Sequence, residues 1–213
     1  MATLRTSTTF AQAFGTTASG TLASLVVGDL VTLSLRERDG GTPSSVVSDL
    51  DGALTFRQER GSGAGEHIRL YSLIVATTGS HVITITYGGN SVFNGYLDAW
   101  ISATSWTAFD QTNDAANSSV TTYTCGSITT TGAGVIVVGA AFAADIDTSV
   151  AGAGFTRAET LARHFRQYKL STGAETTDGP FTTATANTAN AAIMNYIEAA
   201  GGGPKRLMVM GVG

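Results

Sequence analysis

Apolar residues in this chain recur in short runs with a period of two, and Gly, Asp, Asn and Ser close the runs. The clearest are Val31-Leu33-Leu35, Ile68-Leu70-Ser72-Ile74, Val82 to Tyr87 and Ile136-Val137-Val138. A period of two places successive side chains on opposite faces of a sheet. Many such runs separated by turn residues specify an all-β sandwich or barrel. Loops follow from turn chemistry: Asp39-Gly40, Asp51-Gly52 and Gly88-Gly89-Asn90 are turn signals, because Gly adopts positive φ at low cost. Asp51-Gly52 predicts a hairpin between Ser45–Leu50 and Ala53–Gln58.

Two stretches depart from the alternation. Thr156-x-x-Glu159 matches a capping box, which predicts a short helix or turn over Thr156 to Leu161 before a strand from Arg163 to Leu170. Ser105 to Ser119 reads as a long polar connection, and Asp145 to Gly154 as a second. No exact repeat and no interdomain linker is visible. The reading is therefore one β-sandwich domain over residues 1–213, with an arm at 1–20, a core at 21–200 and a C-terminal segment at 201–213.

Charged residues make up only 13% of the chain, and Thr, Ser, Ala and Gly take their place. Such surfaces pack against copies of themselves with little desolvation. The formal net charge is -4 and no Lys/Arg block occurs, which argues against a phosphate-binding surface and nucleic acid. No apolar run reaches the roughly 18 residues of a membrane span, and the N-terminus lacks the pattern of a signal peptide. The single cysteine, Cys125, excludes an internal disulfide and reads as a small buried hydrophobe made in a reducing cytosol.

Catalytic signals are weak. His67, His81 and His164 form no HExxH or HxH pair, so no zinc ligand set is visible. No G-x-S-x-G elbow exists, and Ser and Thr are too frequent to single out a nucleophile. No acid pair for glycoside hydrolysis can be chosen. Gly61 to Glu66 lacks the helix that a phosphate loop needs. Asp49/Asp51 and Asp145/Asp147 place carboxylates two apart and offer Ca²⁺ ligands, but the full loop motif is absent, and turn chemistry is the competing explanation. No cofactor is expected.

The order of elements nevertheless resembles a family. Val27-Gly28-Asp29-Leu30-Val31-Thr32-Leu33 comes first, then Val47 to Thr55 around Asp51-Gly52, then Ile68-Arg69-Leu70-Tyr71. Gly79 to Tyr87, Thr130 to Ala140 and Gly152-Ala153-Gly154-Phe155-Thr156 follow. This succession, from Gly28 to Ala199, resembles jelly-roll structural proteins of tailed bacteriophages. The arm from Thr3 to Gly20 and the tail from Gly201 depart from the pattern. The resemblance implies a jelly-roll-like antiparallel β-sandwich and a non-enzymatic virion protein made in the host cytoplasm. It further implies a capsid decoration or cement protein, often a homotrimer, bound to the major capsid protein and its own copies.

On that reading the contact residues are Phe10 and Phe14 in the arm, with Leu207, Met208, Val209 and Met210 in the tail. A last strand completing a sheet is the competing account of the tail. The alternative is a tail-tip adhesin or carbohydrate-binding module, with Trp106 and Phe109 as the aromatic platform beside Asp110 and Asn113.

Overall fold

The computed structural model describes residues 1–38, 41–61, 65–145, 149–158 and 161–200. They form an all-β, jelly-roll-like sandwich of antiparallel sheets, and no described residue is helical. The strands are β1 (Thr3–Leu25), β2 (Leu30–Arg38), β3 (Pro43–Ser48), β4 (Gly52–Ala53), β5 (Thr55–Gly61), β6 (His67–Ile74), β7 (Gly79–Ile101) and β8 (Trp106–Tyr123). They continue with β9 (Ile128–Thr130), β10 (Gly134–Phe142), β11 (Ser149–Ala151), β12 (Thr156–Arg157), β13 (His164–Ser171), β14 (Glu175–Thr177) and β15 (Phe181–Glu198).

One sheet has the order β4-β3-β7-β2-β6-β5 with β1 on β7, and the other has the order β11-β15-β10-β13-β12 with β8 on β15. The long strands fold each sheet back over itself. In the first, Gly20 pairs with Ile83, yet a Cβ at Gly20 would lie 2.8 Å from Leu97 and 3.3 Å from Phe10, further along the same two strands. Phe10, Leu22, Leu33, Leu35, Ile83, Ile85, Phe93 and Leu97 fill the space so enclosed. In the second sheet the rings of Tyr123, Phe142, Phe165 and Phe181 pack with Ile136, Val138 and Ile193. A third apolar layer, with Leu30, Ile68, Leu70 and Trp100 against Val135, Val137, Met194 and Tyr196, lies where the sheets face each other.

The same path is traced twice. In the first half Leu30 stands opposite Ile74 and Trp100. In the second Val135 stands opposite Leu170 and Tyr196. Contacts across the seam come in exchange-related pairs. Asn94 Nδ2 donates to Ala162 O (2.8 Å), and Asn190 Nδ2 donates to Glu66 O (2.7 Å). Tyr168 meets Trp100 edge to face, and its counterpart Ser72 hydrogen-bonds Tyr196. The halves are thus related by a pseudo-twofold axis, which the sequence does not display as a repeat.

Several sequence expectations are corrected. Residues 3–20 are not an arm but part of β1, paired with β7 along its length. Ser105 to Ser119 is not a connection, since β8 begins at Trp106. Gly88-Gly89-Asn90 does not end a strand, because β7 runs through it. Thr156 begins β12, no described residue from 156 to 161 is helical, and Glu159 lies outside the described residues. β3 turns at Asp51-Gly52 into the short β4, while β5 pairs with β6. Cys125 is buried between β8 and β9, with its thiol pushed up by burial. The tail from Gly201 lies outside the described residues.

Close approach at the axis has a mutational consequence. A Cβ on Gly139 would lie 2.3 Å from Ser34 Oγ and 3.0 Å from Ile68 Cδ1. Gly139→Ala should therefore destabilise the fold by about 1–3 kcal/mol. Gly15→Ala, which meets nothing within 4 Å, should stay within about 0.5 kcal/mol of the parent. Urea denaturation of both variants measures the difference.

Candidate functional site

The seam between the halves brings together the side chains most suited to chemistry. Ser34 on β2, Asn94 on β7 and His164 on β13 meet there, all fully buried. Asn94 donates through Nδ2 to Ala162 O, so its Oδ1 faces His164 Nδ1 at 3.0 Å and accepts a hydrogen bond from the ring N–H. His164 Nε2 therefore carries the lone pair and accepts the Ser34 hydroxyl at 2.9 Å. The connectivity is that of a serine–histidine–amide triad. Burial, and then the Arg36 charge, hold the His164 imidazole well below its ordinary range, so the ring is neutral. Around it Arg36 makes a bidentate pair with Glu66 (2.7 and 2.6 Å), and Arg166 pairs with Asp98 beside the rings of Tyr96, Trp100 and Tyr168.

The other histidines are committed to structure. His81 donates through Nε2 to Thr77 O (2.8 Å) and accepts the Ser48 hydroxyl at Nδ1 (2.9 Å). His67 is bound to Glu59 (2.7 Å). The Asp49 and Asp51 carboxylates accept the N–H groups of Val82 (2.9 Å) and Ala76 (2.8 Å), as turn chemistry requires. Burial raises the Asp51 carboxyl, but the Ala76 and Thr77 donors and nearby His81 outweigh it and leave it below the usual range. Asp145 pairs with Arg163 (3.0 Å), and Asp147 lies outside the described residues. Among the described residues no three His, Cys, Asp or Glu side chains converge to hold a metal.

The expected contact residues are dispersed. Phe10 is interior, and Phe14 projects into solvent at 71% exposure. Trp106 is buried at 8% exposure, and Phe109 packs under the Arg57 guanidinium, 4.6 Å from its ring centre. The two therefore form no exposed aromatic platform. Asp110 accepts the Thr131 N–H just after β9 (3.0 Å), and Asn113 donates to Ser127 O just before it (2.8 Å). Leu207, Met208, Val209 and Met210 lie outside the described residues.

Open grooves lie on the described surface, two of them beside the seam and the β3–β5 edge. One, of about 480 Å³, lies between β1 and β12 with Arg166 and Tyr168 in its floor. The other, of about 440 Å³, lies between β3 and β5, beside half-exposed Phe56 and buried Tyr71. At its base Arg69 is held by Glu37 and Glu59, and Tyr87 donates to Glu37 (2.6 Å). Burial pushes the Tyr71 phenol up to about 12.

The neutral ring at the seam makes stability depend on pH. In the unfolded chain the imidazole titrates near 6.5, whereas in the folded chain it resists protonation. Between those values the unfolded state binds the extra proton, so His164 costs stability as pH falls below about 6.5, at up to about 1.4 kcal/mol per pH unit. Chemical denaturation from pH 7.5 to 5 should show this slope, and His164→Gln should flatten it. Ser34→Ala, which strips Nε2 of its donor, should cost about 1–3 kcal/mol at pH 7.5. Comparison with family models, curated proteins and solved structures found no match to this chain.

Proposed function

We propose that this protein is a non-enzymatic structural protein that works by adhesion, of the capsid decoration or cement type found on tailed-bacteriophage virions. On this reading it bridges neighbouring shell subunits and its own copies, and opposes their separation by mass action on the assembled state. The observation that supports it most is the contrast between interior and edge. The histidines and the buried Ser34 are sealed into hydrogen-bond networks with structural partners. The two long outer strands, β1 and β8, are rich in Thr, Ser, Asn and Ala and poor in charge.

Only Arg5 is charged among the 23 residues of β1. Edge strands are ordinarily guarded by Lys, Pro or inward charges, because their unpaired N–H and C=O groups template further pairing. An unguarded edge of this length is suited to permanent contact. The resemblance carried by Val27 to Leu33, Val47 to Thr55 and Gly152 to Thr156 points the same way, and so does the jelly-roll-like fold.

The test uses the full chain. Light scattering of the purified protein should give three times the 21.8 kDa chain mass, and electron microscopy of purified virions should place it on the capsid. A monomer absent from virions, or turnover abolished by Ser34→Ala, would overturn the proposal.

A further inference from the structure

The two flanks of the sandwich are related by the pseudo-twofold axis, yet among the described residues only one is closed. On the closed flank β5 packs on β8. Arg57 donates through Nε to Ser72 Oγ (2.7 Å) and lies over the Phe109 ring, while Gln58 and Arg60 both reach Asp114, the latter at 3.1 Å. The related flank sets the end of β12 against β1, and there the groove of about 480 Å³ stays open.

Register shows why. Thr55 stands opposite Ser72 as Thr156 stands opposite Tyr168, so Ala158 occupies the place of Arg57 and Gln58. Tyr96 faces Thr9 as Ala192 faces Asp114, so Thr9 occupies the place of Asp114. Leu4 faces Trp100 as Phe109 faces Tyr196. A short methyl replaces the side chains that bridge the first flank, and a hydroxyl replaces the acid that receives them.

Cations remain on the β12 side. Arg157 lies exposed on the rim, tethered to Ser149 O, and Arg166 lies in the floor. Arg166 pairs with Asp98, but its Nε, buried, has no hydrogen-bond partner among the described residues. On the opposite wall β1 pairs with β7 alone among the described residues, so alternate residues leave N–H and C=O unpaired along its outer edge.

We infer that this groove takes an extended segment of a partner protein, laid along β1 at Ser7 to Thr9 and carrying a carboxylate that faces Arg157 and Arg166. The segment supplies the acid that Asp114 supplies on the closed flank. Main-chain bonds to the edge give affinity, and the carboxylate gives register and choice. The inference rests on the adhesive reading above and names the partner's chemistry.

The experiment titrates the full chain with a capped heptapeptide of alternating Thr and Val carrying a central Glu. Its Gln and Lys forms serve as controls, and fluorescence polarisation reads binding up to about 1 mM. The Glu peptide should bind at least tenfold tighter than the Lys peptide. Arg157→Glu should reverse that order. Ala158→Arg, which rebuilds the plug of the closed flank, should weaken binding at least tenfold at an unchanged melting temperature. Equal affinity for the three peptides, or none for any, would overturn the inference.

Two further outcomes would also overturn it: self-association lost in Ala158→Arg, which assigns the groove to a second copy, and oligosaccharide binding lost in that variant, which assigns it to a glycan. If the virion location holds while the peptides fail, the adhesive role stands and only this groove assignment falls.

Discussion

The structure depends on a seam in which polar side chains are buried between two sheets and reach their partners across it. Leaving a buried donor or acceptor unmet costs about 1–3 kcal/mol, and more for a charge. Here Asn94 and Asn190 reach across the axis to main-chain carbonyls of the opposite half, Ser34 reaches His164, and Asp98 holds Arg166. Apolar contact alone would let two pleated faces slide, because aliphatic packing is non-directional. Directional bonds at symmetry-related points fix the register of one half on the other. The three buried layers then become consistent with a single arrangement.

From that seam the roles of the edges follow. The sheets fold back because β7 and β15 are each long enough to serve two leaves, with β1 and β8 tracking them along their outer sides. Every half must therefore end in a long outer strand. One of these, β8, is covered by β5, and the other, β1, faces the short β12. Low charge on β1 fits a surface that avoids desolvating long ionic side chains when it meets a partner.

Much of this architecture was legible in the residues. The runs at 30–38, 67–74 and 134–142 are buried strands, and alternation or continuous apolarity marked them. β8 was missed for a physical reason. Asp110, Gln111, Asn113 and Asn117 look like loop residues, yet their side chains bind the main chain of the 124–131 connection, which satisfies that turn while β8 stays extended. Gly88-Gly89-Asn90 signals a turn, yet β7 passes through it, because a glycine pair suits a bend within a strand as well as its end. The pseudo-twofold was hidden because related positions differ in type: Ser72 against Tyr168, Leu4 against Phe109, Thr9 against Asp114. The seam cluster joins residues from distant segments, so no local spacing announced it, while Trp106 and Phe109, singled out as aromatics, serve the core.

The seam cluster combines the connectivity of a triad with complete burial. In a working triad a carboxylate orients the histidine and stabilises the imidazolium formed when the serine proton is taken. Asn94 orients His164 equally well, but it carries no charge to offset a cation, and its Nδ2 is already spent on Ala162 O. Arg36 adds a positive field that opposes protonation further. Proton transfer from Ser34 would therefore place a second cation beside the buried Arg36–Glu66 pair. The same features keep one tautomer in place, with Nδ1–H towards β7 and a lone pair towards β2. A ring so fixed contributes two directional bonds across the seam, and that is the work this position requires.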